Sequence, residues 1–581
     1  MIDDGREIPD GSVLDADVCI VGAGPAGLTL AQELGERGLA VVLLESGSTM
    51  AEPTARALLT AETDPDPGPD LYPDIGTLRD AGIGGTARQW CIEIDGRIWV
   101  RMAALDALDY RARSWLPYSG WPIDEATLAP YVARAMRRAG CAPAPFDPAP
   151  WIDGEHGAFH FAHGLVEPGL FLFAPRDAFT RDARIAIEAR RNVRCLTMSC
   201  AVMLETGPRA DAVSAVRVRS LGGGSFRVRA SEVILAQGGF EVPRLLLASN
   251  DIVASGLGNA HGLVGRFLMD HQIIDAGILR ASDGGLPRGA SGYDMRRRGP
   301  AHGLLSFRLA TDVREREALL SATTLLLPHA RRSLRRRIQR PFGRGVTWRS
   351  PARRALRELR CAMPKGLAGS VRRLESVVRG LDDVLYHQTR YRRAFRPAFD
   401  IDHGGWSELA DRESRFDGLD VFLLCEQAPD PDNRITLGTE RDALGVPRPR
   451  VRFRWNPIDQ RSAARSQELL AAALADAGIG ELRYERRDGL PLVTQMSTHH
   501  PAGTARMSVS PRDGVVDPDC RVHGMRNLHI ASSAVFPTAG HANPTLTILA
   551  LAIRVADGIA ASLMDARRAP APGRGQGIGP G

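Results

Sequence analysis

Apolar runs that stop at glycine turns mark both ends of this chain. DADVCIVGAG, Asp15 to Gly24, is a continuous apolar stretch entering a turn, the pattern of a strand buried on both faces of a parallel sheet. LTLAQELGERG then repeats with helical spacing, and AVVLLE, closing at Glu45, predicts a second strand. Further on, RVRASEVILAQGGFEVPRLLLAS predicts strand, glycine turn and helix again, and NLHIASS followed by PTLTILALAIRVADGIAASLM predicts a last strand and helix. Between these lie other textures. VRCLTMSCAVML and AVSAVRVRS alternate as a meander, and SWLPYSGWPIDEATLAPYVARAMRRAG reads as a turn and an amphipathic helix with Asp124 as N-cap. DVFLLCEQAPDPDNRITLG reads as two strands around a turn, and QRSAARSQELLAAALADAG as a helix.

The first glycine turn carries chemistry. Gly22, Gly24 and Gly27 form G-x-G-x-x-G between a strand and a helix. The first glycine permits the tight turn, the second lets backbone approach a pyrophosphate, and the third lets helix pack on strand. The helix start offers unpaired N–H groups and partial positive charge to phosphates. Glu45, about 20 residues on, is placed to accept hydrogen bonds from ribose hydroxyls, and its charge disfavours NADP. A second turn, GIGGTARQW, sets Gly84 and Gly85 where backbone again approaches a cofactor. Near the other end, HPAGTARM and AGHANPT place an imidazole, His500, and a carboxamide, Asn543, at the two ends of one strand–helix segment.

Composition narrows the class without naming it. At 581 residues the chain suits two or more domains. Its eight cysteines show no metal-ligand spacing, so no metal is expected, and they fit a reducing compartment. Without a basic, apolar leader or an uninterrupted apolar stretch of ~18 residues, the expectation is a soluble, cytoplasmic protein with no membrane span. The net charge of +6 is almost all arginine, Lys365 being the sole lysine. It is densest from Arg331 to Arg360, where acids such as Glu358, Glu375, Asp382 and Asp383 interrupt or follow the run. That stretch is expected to be a solvated helical insertion with no nucleic-acid partner. The Pro/Gly-rich tail, 566–581, is expected to be disordered.

Together the fingerprint, GIGGTARQW, LAQGGFEVPRLLLAS with SGLGNAHGLVGRFLMDH, EQAPDPDNRITL and the region from His500 to Asp557 resemble the glucose–methanol–choline (GMC) family of FAD-dependent oxidoreductases. LPYSGWPI and FPTAGHANPTLT look like its bacterial branch of sugar and polyol dehydrogenases and pyranose-oxidase-like enzymes. Between His271 and Phe416 little matches. The resemblance implies an α/β fold: a Rossmann-like FAD-binding domain with a discontinuous second domain built on an antiparallel sheet with helices. The boundaries expected are 12–115, 165–280 and 500–565 for the FAD-binding domain, and 116–164 and 281–499 for the substrate domain.

The resemblance also implies roles. His500 takes the hydroxyl proton of a small-molecule alcohol, a sugar, aminosugar or sugar-like metabolite, while hydride passes to the flavin; Asn543 holds the same oxygen. A base close to free imidazole would give a rate that rises with pH through ~6.5. His499 and His541 are rivals for the two roles. The cofactor-facing set is Gly22, Gly24, Pro25, Ala26, Gly27, Glu45, Gly84, Gly85, Thr86, Gln89, Trp90, Ala201, Ser532, Pro544 and Thr545, with Pro544 as an N1 proline at a helix start. Ala87, Val242 and Ser532 depart from the family's usual residues. Gln89 stands where pyranose oxidases carry the histidine bonded to flavin, which implies non-covalent FAD. Oxygen, a quinone or a redox partner protein would reoxidise it. A non-redox lyase of the same fold and an inactive scaffold are the competing readings.

Overall fold

The predicted strands Val13–Val21 and Val41–Leu44 pair in parallel, with Val18 opposite Val41 and Val21 opposite Leu44. All four residues of the second strand are buried, as a run without polar alternation requires. The computed structural model describes the chain except at residues 51, 64–71, 73–74, 91, 95–96, 143, 153–156, 162–163, 331–373, 375–377, 379–404, 411 and 569–581. Around the first pair an eight-stranded sheet runs in the order Ile2–Asp4, Val193–Thr197, Val41–Leu44, Val13–Val21, Ser225–Leu235, Val213–Ser220, Ser199–Thr206. Its first five strands are parallel and the last two antiparallel, so one piece of the predicted meander, VRCLT at Val193–Thr197, joins the parallel part instead. Ser225–Leu235 forks. Its first half pairs with the meander, and Val233–Leu235 pairs in parallel with Leu528–Ile530, a strand from the far end of the chain.

That returning strand brings the C-terminal segment to the glycine turn. Ala531 N donates to Leu235 O at 2.9 Å, and the Gly503–Met507 stretch then pairs with Ser533–Val535. The following helix, Thr545–Arg568, packs against Pro25–Glu36 and Glu125–Arg138. Asp557 on it pairs with Arg37 and Arg134, and Arg134 also reaches Glu33. At a mean hydropathy of 1.8 over 18 residues this helix is long and apolar enough to cross a membrane, contrary to the expectation of no such stretch. Single polar residues had masked the pattern. Here 61% of that window is buried inside the fold.

The second sheet is antiparallel. Its order is Arg486–Arg487, Leu490–Gln495, Gln272–Arg280, Phe416–Cys425, Ala322–Ala330, Ala301–Leu309, Val166–Pro175, Arg97–Met102, Ile92–Ile94, with Arg296–Arg298 and Glu481–Arg483 beside it. The expected boundaries are therefore corrected. Ile92–Met102, Val166–Pro175 and Gln272–Arg280 belong to this sheet rather than to the parallel one, and Ile2–Asp4 joins the parallel sheet ahead of residue 12. The helix Glu125–Arg138, expected with the substrate domain, lies on the nucleotide side through Glu33 and Asp557. Residues 566–568, expected in the tail, complete the last helix. The arginine-rich stretch 331–360 lies outside the described residues.

A buried ion pair stands beside this sheet. Arg113 donates to both Glu426 oxygens, at 2.8 and 2.5 Å, with both side chains fully buried. Glu426 also accepts from Ser321 N at 2.8 Å. Removing one partner strands the other charge. Glu426→Gln should therefore lower the unfolding free energy by ~3–5 kcal/mol, read as a shifted midpoint in chemical denaturation. An unchanged midpoint would contradict this account of the pair.

Candidate active site

Gly22 and Gly27 show the backbone geometry that their spacing predicts. Gly22 has φ +103°, a left-handed value suited to glycine, and a Cβ on Gly27 would lie 1.8 Å from the Gly22 carbonyl oxygen. Gly24 precedes the Pro25–Glu36 helix, with Pro25 and Ala26 opening it, and a Cβ there would meet nothing within 4 Å. That open space above a helix N-terminus fits a phosphate. The second turn docks on the first: Gly84 N donates to Ala23 O at 2.8 Å, and a Cβ on Gly85 would reach 3.0 Å from the Gly24 Cα. Thr86, Gln89 and Trp90 follow in and after the short 3₁₀ helix Gly85–Gln89.

Glu45 gathers donors from both glycine turns. One oxygen accepts from Ala23 N at 2.9 Å, and the other from Ser46 Oγ, Gly47 N and Gly82 N at 3.2, 3.0 and 2.8 Å. These bonds join both glycine turns and leave an acceptor position on Oε2 for the expected ribose hydroxyl. Ala201 lies half-buried in Ser199–Thr206, the strand whose first N–H donates to Glu45 O.

The histidine loop is pinned from both sheets. Pro501 packs on the Gly239 backbone, and Thr504 Oγ1 donates to Gly239 O at 2.7 Å. On the other side Met269 and Ala502 exchange backbone hydrogen bonds at 3.0 and 2.9 Å. The pivot is Asp270, fully buried. Its Oδ1 accepts from His271 N, His500 N and Thr498 N at 2.7, 3.1 and 3.3 Å. Its Oδ2 accepts from Ser497 Oγ and Tyr72 Oη at 2.6 and 2.8 Å. Burial pushes this carboxyl up to about 6, against the pull of those donors. At neutral pH it is still ionised.

The structure brings His500 and Asn543 together. His500 Nε2 lies 3.3 Å from Asn543 Nδ2. His500 Nδ1 lies 2.8 Å from Thr498 Oγ1 and 2.9 Å from His271 Nδ1. Asn543 is 6% exposed, and its Oδ1 has no protein partner among the described residues. Burial first, then the neighbours His271, His499 and Arg101, hold the His500 imidazolium well below the usual range. The ring is therefore neutral at pH 7, its imidazolium lying below the ~6.5 of free imidazole.

The rivals turn elsewhere. His541 Nδ1 lies 2.7 Å from Ser321 Oγ, with Arg308 on its other nitrogen. His499, held at φ +66°, puts Nδ1 3.0 Å from Gln89 Oε1, while Gln89 Nε2 donates to Arg79 O at 2.8 Å. Gln89 thus ties the second glycine turn to the histidine loop. Ser532 caps the short helix Ser533–Val535, accepting from Ala534 N at 3.1 Å. Pro544 lies one position outside its expected place: its carbonyl accepts from Ile548 N, so the helix proper starts at Thr545. Asp270, His271, Thr498 and Tyr72 went unassigned in the sequence. Their signal was a polar pair, Asp270–His271, breaking the apolar run LVGRFLMDHQIIDAGIL.

A glycine turn above a helix N-terminus and a buried His–Asn pair are thus joined through the histidine loop. Residues 429–552 match the GMC oxidoreductase family, and residues 15–63 match an FAD binding domain. The chain is similar to the fructose dehydrogenase large subunit of Gluconobacter japonicus, 27% identical over 58% of this chain and 48% of that one. It is also similar to paromamine 6'-oxidase of Streptomyces fradiae, 30% identical over 25% and 26% of the two chains. The match thus spans about half of the first relative's length and about a quarter of the second's. Among solved structures, an FAD-dependent oxidoreductase from Chaetomium thermophilum shares the fold, with a TM-score of 0.50 and 17% identity, covering 94% of this chain and all of that one.

Gly24 and Gly27 separate binding from folding. Gly24→Ala should fold as well as the parent but hold FAD about tenfold or more weakly, since hydrogen bonds to a charged group are each worth ~1.5–3 kcal/mol. Gly27→Ala should instead lower the thermal midpoint of the flavin-free protein, because its Cβ meets backbone. Flavin content and thermal midpoint, measured on both variants, check this. Full flavin retention in Gly24→Ala would overturn the assignment of that space.

Proposed function

We propose that this protein oxidises an alcohol, a sugar or sugar-like metabolite, to a carbonyl compound, with FAD as its cofactor. FAD, when bound, accepts the hydride that leaves the carbinol carbon. Everything else falls to the chain. The observation that carries the reading is the His500–Asn543 pair: a neutral imidazole nitrogen and a carboxamide within 3.3 Å of each other, at the loop that docks on the nucleotide sheet. His500 Nε2 takes the hydroxyl proton. The unpartnered Oδ1 and the second N–H of Asn543 orient the substrate hydroxyl. Asp270 holds the His500 backbone, so the base is positioned before substrate arrives.

The substrate class draws support from the names of similar proteins. Beyond the two above they include a C-glycoside 3-oxidase of Arthrobacter globiformis, 33% identical over 25% of this chain. We assign Gly22, Gly24, Pro25, Ala26, Gly27, Gly84, Gly85 and Thr86 to the FAD phosphates. Trp90, Ala201, Ser532, Pro544 and Thr545 are assigned to the rest of the cofactor, and Glu45 and Gln89 to bracing its walls. With Gln89 in place of a bonding histidine, the FAD is held non-covalently.

Anaerobic addition of a sugar, aminosugar and polyol panel should bleach the flavin with at least one compound; no bleaching by any alcohol would favour a non-redox lyase. With the best substrate, His500→Ala should keep its flavin yet slow reduction by about 10²–10⁴-fold, the usual contribution of a positioned base. Asn543→Ala should cost less, because the proton acceptor stays. A base must be unprotonated, so the wild-type rate should rise with pH only well below the ~6.5 of free imidazole and stay flat above it. Stopped-flow reduction across pH reads all three. Near wild-type reduction in His500→Ala, with His499→Ala or His541→Ala inactive, would show that another histidine is the base.

A further inference from the structure

We propose that His271 is a positioning residue that fixes which nitrogen of His500 carries the proton. The inference rests on His500 being the base of the reading above, but the geometry behind it is independent of that reading. His271 is 1% exposed and stands at the head of the Gln272–Arg280 strand. Its ring lies nearly perpendicular to that of His500, at 81°, with the two Nδ1 atoms 2.9 Å apart.

A contact between two imidazole nitrogens needs one proton and one lone pair. Each neutral ring carries a single N–H, so choosing it on one ring settles the other. The choice is made on the far side of His271. Its Nε2 is buried without a hydrogen-bond partner among the described residues, and the backbone of Ala539 and Gly540 beside the ring favours a proton on it. A carbonyl can only accept. With Nδ1 taken up by His500, the His271 proton that these backbone carbonyls attract sits on Nε2, and its Nδ1 is an acceptor. Burial depresses its imidazolium to about 4, so a second proton is absent at neutral pH.

The rest follows along the chain of contacts. His500 must donate from Nδ1 to His271, which leaves the lone pair on His500 Nε2. That lone pair faces the Asn543 amide nitrogen, a donor, so the polarity agrees at the third contact as well. Reversal would set Nε2–H of His500 against an amide N–H₂. Thr498 Oγ1, 2.8 Å from the same Nδ1, does not decide the matter, because a hydroxyl accepts or donates as required. Which nitrogen of a histidine is free is commonly set by the hydrogen bond the other makes. Here that bond comes from a histidine some 230 residues away in sequence. The consequence is that the proton-accepting nitrogen is in place, facing the carboxamide that orients the substrate.

The test reads the tautomer directly. The oxidised, flavin-loaded protein, labelled with ¹⁵N in histidine, is examined by long-range ¹H–¹⁵N correlation, with His500→Gln to assign the His500 signals. The expected wild-type spectrum shows Nδ1 protonated and Nε2 bare. His271→Ala should convert His500 partly or wholly to the Nε2–H form. His271→Asn, whose Oδ1 keeps an acceptor near the original position, should restore the wild-type pattern. Flavin reduction should slow roughly 3- to 10-fold in His271→Ala, about the value of one hydrogen bond, and recover in His271→Asn. A protonated Nε2 on His500 in the wild type, or an unchanged tautomer in His271→Ala, would overturn the proposal. Undiminished reduction in His500→Ala would instead overturn the base assignment and leave the tautomer result standing.

Discussion

One buried carboxylate organises the centre of this molecule. Asp270 accepts five hydrogen bonds, from Tyr72, His271, Ser497, Thr498 and His500, and so ties three distant stretches of chain to one point. A charge taken out of water is costly unless its lone pairs are satisfied, and here they are. Two of the five donors are the backbone N–H groups of His271 and His500 themselves. The placement of both imidazoles is thereby a consequence of satisfying one anion.

The two sheets meet at this point. The parallel sheet ends in glycine turns that leave room above a helix N-terminus, and the returning strand Leu528–Ile530 carries Asn543 to the same edge. The antiparallel sheet contributes Gln272–Arg280, which begins where Asp270 and His271 end. The Met269–Ala502 bridge joins the sheets beside His500. Glu45 does for the glycine turns what Asp270 does for the histidine loop: a carboxylate collects N–H groups from separate segments. Each device holds irregular backbone in a fixed shape without regular secondary structure.

What the sequence made legible follows from how local each feature is. G-x-G-x-x-G is a statement about backbone conformation within six residues, and the φ of Gly22 and the tight packing at Gly27 match it. His500 and Asn543 stood out because each lies in a compact motif that resembles a family. Asp270 and His271 act on a loop about 230 residues away, and no local pattern encodes that pairing. The domain boundaries failed for a similar reason: the antiparallel sheet draws strands from six separate stretches, several of them with the same apolar texture as the parallel strands. Glu45 was read from its spacing alone, which locates a carboxylate but does not say which donors will claim it.

The central claim is that a C–H bond of an alcohol breaks at this site as His500 Nε2 takes the hydroxyl proton. The most direct measurement is single-turnover flavin bleaching, without oxygen, using the best alcohol and the same alcohol deuterated at its carbinol carbon. The account predicts full bleaching by both, with the deuterated compound several-fold slower. Equal rates in a bleaching step shown to be free of binding limits, or product formed with the flavin never bleached, would contradict it.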